Sequence, residues 1–337
     1  MKRIIISRTD SIGDVMLTLP LCGVIKKHFP TCEIFFLGRA YTKAVIDSCE
    51  NIDHFLNFDE LEKLSVLNQV EALKKPGADA IIHVFPVKKI ALLAKKALIP
   101  IRVGASGRWY HYVYCNKIVA LTRRRSALHE AQLNLKLLQP IGVHEDLNID
   151  EIGAFYGWKP KGNLRPEISN LIDDQRFNLI LHPRSKGSAR EWGLKNFSGL
   201  VTLLPENDFR IFVTGTATEG EQINELFDYH PSLINLTGKL NLVELIQFIS
   251  KADGLIAAST GPLHIAAASG IIAIGIYPPI KPMHPGRWRP VGPFASALVM
   301  EKDCNRCRKT NSCRCMTDIL PEQVFQKLNE LRNERNR

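Results

Sequence analysis

The sequence predicts an α/β protein built from two doubly wound parallel sheets. Short apolar runs rich in β-branched residues alternate with helical patterns, and this alternation occurs in both halves of the chain. A segment rich in Pro, Gly and charge, Gly157–Pro166, separates the halves and has the composition of a linker. Strands alternating with helices imply parallel sheets with right-handed crossovers, and 337 residues are enough for two domains of ordinary size.

Each predicted strand is a short apolar run bounded by polar or turn-forming residues. In the first half the strands are Arg3–Ser7, Glu33–Gly38, Ala78–Phe85 and Ile101–Gly104. In the second half they are Asn178–His182, Phe209–Thr214, Leu233–Leu236, Gly254–Ala258 and Ile271–Ile276. Helical patterns cover Leu194–Leu204, Glu219–Asp228, Leu242–Ala252 and, opened by Pro321, the amphipathic segment Leu320–Arg337.

These elements divide the chain into an N-terminal domain (1–162), a C-terminal domain (163–318) and a terminal helix (319–337) expected to pack back toward the N-terminal domain. In two doubly wound domains the ligand crevice is expected between them, at the carboxyl ends of the strands. Dehydrogenases, periplasmic binding proteins and nucleotide-sugar transferases share this plan, so the fold alone does not select a reaction.

The composition is that of a soluble globular protein, with 45% hydrophobic and 23% charged residues. The apolar run that begins at Ile4 is too short for a signal peptide, and Asp10 and Asp14 follow it. No uninterrupted apolar stretch approaches the ~20 residues of a membrane-spanning helix. We therefore expect a cytoplasmic protein.

The entire positive excess of the chain lies in one segment. The net charge is +10, and no acidic residue occurs between Asp79 and Glu130. The basic residues of this segment are Lys88, Lys89, Lys95, Lys96, Arg102, Arg108, Lys117, Arg123, Arg124 and Arg125. A solvated face is one interpretation, but unopposed charges interleaved with aromatic residues favour an anionic partner, whether nucleic acid, phosphorylated glycan or anionic lipid.

The eight cysteines fall into two groups. The scattered ones (Cys22, Cys32, Cys49 and Cys115) are expected to be small buried residues. The others (Cys304, Cys307, Cys313 and Cys315) share one Arg-rich loop with the spacing C-x2-C-x5-C-x-C. In a cytoplasmic protein reduced thiols are the default for this loop, with a structural zinc site as the alternative.

The segment Gly254–Gly270 is the most informative in the second half. An apolar strand ends at Ala258, the small polar turn Ser259-Thr260-Gly261 follows, and Pro262 stands where a helix begins. Free N–H groups at such a helix start suit a diphosphate, and His264, one turn in, is able to face the same ligand. The alternative is an ordinary strand-turn-helix with a buried histidine.

Two further strand ends carry polar or cationic residues. The loop His182–Trp192 contains three cations, and Thr214-Gly215 leads into a helix for which Thr218 is the expected N-cap. A solvent loop, with Trp192 covering a core, is the alternative for the first. Because the ends of parallel strands share one sheet edge, three such loops converge on one anion-binding crevice.

The first strand leads into a different loop, Arg8-Thr9-Asp10-Ser11-Ile12-Gly13-Asp14. One glycine and two aspartates make it a poor phosphate cradle. The sequence also lacks G-x-G-x-x-G after a strand, which weighs against a dehydrogenase. The carboxylates of this loop are therefore candidates for chemistry rather than for phosphate binding.

The chain resembles glycosyltransferase family 9, the lipopolysaccharide heptosyltransferases and their relatives. The residues that carry the resemblance are Arg8, Gly13-Asp14-Val15, Thr18-Leu19-Pro20, His129-Glu130, His182-Pro183, Ala189-Arg190-Glu191-Trp192, Leu236-Thr237-Gly238, the run Ser259 to Ala268, and Cys315-Met316. Their order and spacing span nearly the whole chain and are together specific, although no single motif is.

The resemblance implies a GT-B fold, with the acceptor on the first domain and the nucleotide sugar on the second. It implies inversion without a catalytic metal or other cofactor, with Asp14 as general base and Arg190 approaching the donor phosphates. ADP-heptose is the suspected donor, and a lipopolysaccharide core or related envelope glycan is the acceptor. The basic segment then suggests a peripheral enzyme, expected to be a monomer, on the inner leaflet of the inner membrane.

The predicted site residues follow from this assignment. The donor-binding set is Lys186, Thr214, Gly215, Glu219, Ser259, Thr260, Gly261, Pro262 and His264. The acceptor-binding set is Gly13, Arg108, Arg123 and Arg124. The resemblance implies that Glu219 holds the nucleoside ribose, with Glu221 as a possible substitute.

One departure from the family pattern concerns sugar recognition. Heptosyltransferases usually have Asp-Thr-Gly where this chain has Ser259-Thr260-Gly261, so a family member that uses another nucleotide sugar is the first alternative. A non-catalytic nucleic-acid or anionic-glycan binding protein is the alternative from another class. That alternative leaves the second-domain loops without a role, and the sequence matches no recognised nucleic-acid motif, so no nucleic-acid partner is expected.

Overall fold

The computed structural model describes residues 1–123, 126–300, 304 and 314–336. The chain divides into two units, Met1–Lys159 and Pro160–Arg337, and the division falls within the Gly157–Pro166 segment. Each unit has its own parallel sheet and its own core. Arg124, Cys307 and Cys313 lie outside the described residues.

The first unit contains a sheet of six parallel strands in the order β3-β2-β1-β4-β5-β6. The strands are β1 (Arg3–Ser7), β2 (Glu33–Gly38), β3 (His54–Asn57), β4 (Ala80–His83), β5 (Ile101–Ala105) and β6 (Lys117–Val119). Its helices are α1 (Ile12–Met16), α2 (Leu19–His28), α3 (Lys43–Asp47), α4 (Phe58–Lys63), α5 (Val66–Lys74), α6 (Lys88–Lys96), α7 (Trp109–Tyr114), α8 (Glu130–Lys136) and α9 (Ile149–Ile152).

Burial on both faces explains the continuous apolar runs of the central strands. Ile4, Ile5 and Ile6 of β1 are all fully buried, as expected for a parallel sheet covered by helices on both sides. Ile5 pairs in register with Ile81 of β4, and both belong to a core that also contains Leu93 of α6. The predicted β1 and β2 are confirmed with the predicted bounds.

The second unit contains another sheet of six parallel strands, in the order β12-β11-β10-β7-β8-β9. The strands are β7 (Phe177–His182), β8 (Phe209–Val213), β9 (Ile234–Asn235), β10 (Gly254–Ala258), β11 (Ile272–Tyr277) and β12 (Ala295–Val299). Its helices are α10 (Pro166–Ser169), α11 (Leu194–Leu203), α12 (Ala217–Glu221), α13 (Asn224–Tyr229), α14 (Leu242–Lys251), α15 (Gly261–Ala268), α16 (Pro285–Trp288) and α17 (Pro321–Arg335).

The two sheets have the same topology. When the strands of each unit are numbered from one in chain order, both sheets have the order 3-2-1-4-5-6, the second one read from its other edge. The strand order reverses between β1 and β4 in one unit and between β7 and β10 in the other. In open α/β sheets ligands bind beside the carboxyl ends of the strands at such a switch point. The prediction of two doubly wound, Rossmann-like units is confirmed, and the topology marks where a site is expected in each.

The helix predicted over Glu219–Asp228 differs from the structure. The single helix expected over Glu219–Asp228 is two helices, α12 and α13, and α12 is capped by Thr216 rather than by Thr218. Thr216 and Glu219 form a reciprocal capping box, which sets the start of α12 two residues earlier than expected.

The terminal helix α17 packs on the second unit. Its buried Val324 and Leu328 share a core with Trp192 and with Phe197 of α11, whereas the sequence predicts packing toward the N-terminal domain. Within the described residues no helix is both long and apolar enough to cross a membrane.

Candidate active site

Arg8 is the centre of the site at the β1 end in the first unit. Its side chain is 2% exposed and contacts three carboxylates. Nε donates to Oδ1 of Asp10 at 2.6 Å, Nη1 lies 3.2 Å from Oε1 of Glu130, and Nη2 donates to Oδ1 of Asp14. A buried guanidinium with this many charged partners holds them in fixed positions, because its planar donors allow few alternative geometries.

The carboxylate of Asp14 is held on both oxygens and remains accessible. Oδ1 accepts from Arg8, and Oδ2 accepts from the hydroxyl of Ser11, the residue that precedes α1. The side chain is 20% exposed. A carboxylate that is oriented and still reachable has the geometry required of a general base.

Asp10 is the second carboxylate that pairs with Arg8, and its pKa differs from that of an ordinary aspartate. Burial raises the pKa of Asp10 from 3.8 to about 6; the neighbouring Arg8 charge opposes this and the Asp14 charge adds to it. The carboxyl of Asp10 therefore takes up a proton as the pH falls toward about 6.

Arg123 joins the same network from the other side. It pairs with Glu130 and donates through Nη2 to the carbonyl of Val84 and to Oδ1 of Asn134, both at 3.0 Å. Glu130, only 1% exposed, thus bridges the two arginines. Arg123 was predicted as an acceptor-binding residue, and the structure places it beside the Arg8 cluster.

The other residues predicted to bind the acceptor are Gly13, Arg108 and Arg124. Gly13 lies within α1, so it is helical rather than part of an open turn. Arg108 is an exposed residue that precedes α7. Arg124 lies outside the described residues, and these three assignments stay predictions.

In the second unit, histidine and hydroxyl groups meet at the ends of β7 and β8. His182 ends β7, and its Nδ1 lies 2.9 Å from Oγ1 of Thr214, which follows β8. Burial lowers the pKa of His182 to about 4, against the opposing charges of Glu219 and Glu191. The imidazole is therefore neutral at pH 7 and pairs with the hydroxyl as an uncharged group.

Glu219 forms hydrogen bonds with both the loop that follows β7 and the loop that follows β8. Its Oε2 accepts from the amide and hydroxyl of Thr216, and its Oε1 accepts from the amide of Lys186 at 3.1 Å. Burial acts to raise the pKa of Glu219, but the Thr216 hydrogen bonds, His182 and the Lys186 amide outweigh it and lower the pKa below its usual value. Lys186 itself has a left-handed backbone (φ 49°) and an exposed side chain.

A second carboxylate, Glu191, contacts other residues of the loop His182–Trp192. Its Oε2 pairs with Nη1 of Arg184 at 2.8 Å, and its Oε1 accepts from the amide of Ser185 at 3.0 Å. Trp192, fully buried, donates its indole N–H to the carbonyl of Ile319 and covers the core as one interpretation expected. The loop that carries Lys186 and Arg190 is therefore anchored at both of its ends.

The turn after β10 precedes α15. Thr260 is the N-cap residue in extended conformation, and Pro262 lies in the first turn as predicted. The hydroxyl of Thr260 is buried and has no hydrogen-bond partner among the described residues. His264 is 2% exposed, so it is a buried residue of the helix.

The cysteine loop is only partly described. Cys304 and Cys315 lie in one small apolar cluster with Ile280, and Cys307 and Cys313 are outside the described residues. Within the described part of the chain no group of three or more His, Cys, Asp or Glu side chains is placed to hold a metal ion. The zinc hypothesis for this loop stays a prediction.

The family model of glycosyltransferase family 9 (heptosyltransferase) matches residues 66–316 of the chain. The chain belongs to glycosyltransferase family 9. This membership confirms the resemblance and makes the protein a glycosyltransferase, with the two-unit fold described above.

Individual relatives of this family 9 enzyme agree with the assignment. A lipooligosaccharide heptosyltransferase 2 of Campylobacter jejuni is 27% identical over 331 residues, covering 95% of each chain. The lipopolysaccharide core heptosyltransferase OpsX of Haemophilus influenzae is 21% identical over 299 residues, covering 82% of this chain and 79% of that protein. The solved Escherichia coli ADP-heptose lipopolysaccharide heptosyltransferase II aligns with a TM-score of 0.78 over 100% of both chains at 18% identity, which supports the fold.

Proposed function

We propose that this enzyme transfers heptose from ADP-heptose, with inversion and without a catalytic metal, to a lipopolysaccharide core or related envelope glycan. Family membership and the heptosyltransferase names of its relatives support the reaction class. The observation that carries the proposal is the Asp14 carboxylate, fixed by Arg8 and Ser11 at the end of β1 and still accessible.

The proposed reaction is a single displacement. A hydroxyl of the acceptor attacks the anomeric carbon of the donor, Asp14 takes the hydroxyl proton, and the bond to the diphosphate oxygen breaks. The configuration at the anomeric carbon inverts because the attack and the departure occur on opposite sides. Asp14 is an effective base only if it is positioned, and the Arg8 and Ser11 contacts provide that position.

The departing nucleoside diphosphate gains negative charge, which the second unit is suited to stabilise. Arg190 and Lys186 lie on a loop anchored by Glu191 and Trp192, and the start of α15 supplies backbone N–H groups. Fixed donors and cations of this kind account for a large share of catalysis in acyl and phosphoryl transfer. Thr214, Gly215 and Glu219 then form the nucleoside side of the proposed donor site.

A basic and aromatic surface on the first unit supports an anionic membrane partner. We name this the α6–α7 surface; it comprises Lys88, Lys95, Lys96, Trp109 and Tyr112. Trp109 and Tyr112 are 65% and 62% exposed, and Lys88 Nζ lies 5.0 Å from the Trp109 ring centre. Exposed aromatic rings among lysines suit the interface of an anionic leaflet, where each lysine contributes about 1 kcal/mol.

Vesicle binding tests this surface. The protein should sediment with vesicles that contain phosphatidylglycerol, less so at high salt, and Trp109→Ala with Lys96→Glu should weaken binding about tenfold. The control Lys63→Glu, 67% exposed on α4, should bind as the wild type does. Binding that ignores both anionic lipid and salt contradicts the proposal.

A nucleotide-sugar screen tests the donor. ADP-heptose should raise the melting temperature more than ADP, UDP-, GDP- or CDP-sugars do, because a ligand at about 100 times its Kd adds about 2.7 kcal/mol to stability. A larger shift with another nucleotide sugar favours the alternative family member, which Ser259 in place of the usual aspartate motivates. Transfer that persists in EDTA supports metal independence, and loss of transfer contradicts it.

A further inference from the structure

Asp14 lies on a short helix whose backbone is held by residues outside that helix. The helix α1 spans five residues, Ile12–Met16, whereas isolated helices shorter than about 12–15 residues are marginal in water. The hydroxyl of Thr18, which is fully buried, donates to the carbonyl oxygen of Asp14 at 2.8 Å. The position of the Asp14 backbone therefore depends on Thr18.

Asn134 of α8 holds Thr18 in turn. Its Nδ2 donates to the carbonyl of Leu17 at 3.0 Å and to Oγ1 of Thr18 at 3.4 Å, and its Oδ1 accepts from Nη2 of Arg123 at 3.0 Å. Asn134 is fully buried. A buried amide whose oxygen and both hydrogens are engaged has one favourable orientation, because turning it would place donors against donors and acceptors against acceptors.

The direction of each bond follows from the number of hydrogens. A guanidinium only donates, so the amide oxygen of Asn134 faces Arg123 and its NH2 group faces the other way. The single hydrogen of the Thr18 hydroxyl goes to the Asp14 carbonyl, so Thr18 accepts from Asn134. A chain of donors thus leads from α8 to the backbone of the proposed base, and no group in it can turn without losing a bond.

The side chain of Asp14 is held from the same helix. Glu130 and Asn134 are four residues apart on α8 and so lie on one face of it. Glu130 pairs with Arg8 and with Arg123. Arg8 in turn holds the carboxylate of Asp14. The helix α8 therefore reaches the backbone of Asp14 through Asn134 and its side chain through Glu130, and the two routes meet at the second arginine.

We propose that Asn134 and Thr18 are positioning residues that set the place of the Asp14 backbone, and so of its carboxylate, for proton transfer. The inference rests on the proposed function, in which Asp14 is the base. Neither residue is assigned a contact with substrate; both act through Asp14. A misplacement of about 1 Å can lower a rate about 10²-fold, so the loss of one bond in this chain should be visible in kcat.

The hold on α1 is tested without any substrate. Hydrogen exchange followed by NMR reports the amides of Leu17 and Thr18, whose hydrogen bonds close this helix. Their protection factors should fall about tenfold in Thr18→Val and in Asn134→Leu. In Thr18→Ser, which keeps the hydroxyl, they should stay within about threefold of the wild type. Unchanged protection in either of the first two variants overturns the inference, whichever residue is the base.

The consequence for catalysis is tested by the rate of ADP release from ADP-heptose with heptose-deficient lipopolysaccharide. Thr18→Val should lower kcat about 10- to 100-fold with KM within about threefold, and Thr18→Ser should stay within about threefold of the wild type in both. Wild-type kcat in Thr18→Val overturns the inference.

Thr42→Val is the matched control for this loss of a hydroxyl. Thr42 is also fully buried, and its hydroxyl donates to the carbonyl of Arg39 at 2.8 Å. This variant should lose about as much stability in urea as Thr18→Val and keep the wild-type kcat. Equal losses of kcat in the two variants overturn the inference, because they would follow from lost stability alone.

Combination with Asp14→Asn separates this inference from the proposed function. If Thr18 acts through Asp14, Thr18→Val should lower kcat no further in the Asp14→Asn background. A further fall by the same factor overturns the inference, since Thr18 would then act on another group. Near-normal transfer by Asp14→Asn alone contradicts the proposed function instead, and the exchange measurement still decides whether Asn134 and Thr18 hold α1.

Discussion

The strand ends of the two units use different chemistry although the sheets share one topology. Beside β1 and β4 the first unit gathers charges: Arg8 with Asp10, Asp14 and Glu130, the last also paired with Arg123. At the ends of β7 and β8 the second unit pairs the buried His182 with the hydroxyl of Thr214, and Glu219 is held by amide and hydroxyl donors rather than by a buried cation. The fold specifies where each site lies, and the residues that follow each strand specify what it does.

The difference matches the two tasks of a displacement reaction. A general base must be held in position, and ion pairs with a buried guanidinium hold the Asp14 carboxylate rigidly. A donor is recognised by the direction of its hydrogen bonds, and a contact between neutral groups such as His182 and Thr214 adds no charge near a diphosphate. The predictions below test this contrast in order of expected size.

Arg8 should be the most sensitive position. Arg8→Met leaves three carboxylates around an apolar side chain, and breaking a buried ion pair from one side costs about 3–5 kcal/mol in the free energy of unfolding. Arg3→Met is the matched control, because the Arg3–Glu33 pair is about half exposed and should contribute 1 kcal/mol or less. Equal urea stabilities of the two variants contradict the buried-network account.

Arg190 should matter for rate rather than for stability. Removing one group that stabilises developing charge typically lowers kcat by about 10²–10³, or roughly 3 kcal/mol, and we expect this of Arg190→Met. Arg176→Met, which removes an arginine paired with Asp173 before β7 begins, should leave kcat unchanged. A rise in KM with kcat unchanged would show that Arg190 binds the donor equally in the ground and transition states.

Asp10 should give the first site a pH dependence of stability opposite in sign to that of the buried His182 in the second. Its pKa is raised from 3.8 to about 6, so the stability from its protonated form is present below about pH 4 and is lost as the pH rises through about 6. The free energy of unfolding of the wild type minus that of Asp10→Asn should therefore fall by about 2 kcal/mol between pH 4 and pH 7. A difference that stays flat or rises with pH is the contrary result.

Thr214 should show the smallest effect, since it tests a bond between neutral groups. Thr214→Val removes the hydroxyl that pairs with Nδ1 of His182 and should cost about 1 kcal/mol of unfolding free energy. Thr202→Val, on the exposed side of α11, controls for the substitution and should cost less. A loss of unfolding free energy near that of Arg8→Met would contradict the expectation that ion pairs stabilise the first site more than a neutral hydrogen bond stabilises the second.

The sequence predicted the central strands well and the edge strands poorly. β1, β2 and β10 are uninterrupted apolar runs, because a parallel sheet buries them on both faces. The edge strands β3, β6 and β12 were missed, whereas the edge strand β9 was predicted within Leu233–Leu236. His54 and Lys117 are exposed, and all five residues of β12 are half-buried, so neither a continuous nor an alternating apolar pattern marks them.

The candidate site was predicted residue by residue but not as a network. Asp14, Thr214, Glu219 and Thr260 follow strands that are visible in the sequence, and the structure places all of them at the strand ends. The pairing of Arg8 with Glu130 joins residues 122 positions apart, and nothing local in the chain indicates it.

The central claim is that Asp14 is the base, and substitution of that carboxyl tests it most directly. ADP release from ADP-heptose with heptose-deficient lipopolysaccharide is measured for wild type, Asp14→Asn and Asp10→Asn, each with its melting temperature and its affinity for ADP. We predict that Asp14→Asn lowers kcat by about 10²–10⁴ with folding and ADP binding retained, and that Asp10→Asn stays within about tenfold of the wild type. Near-normal transfer by Asp14→Asn would contradict the assignment.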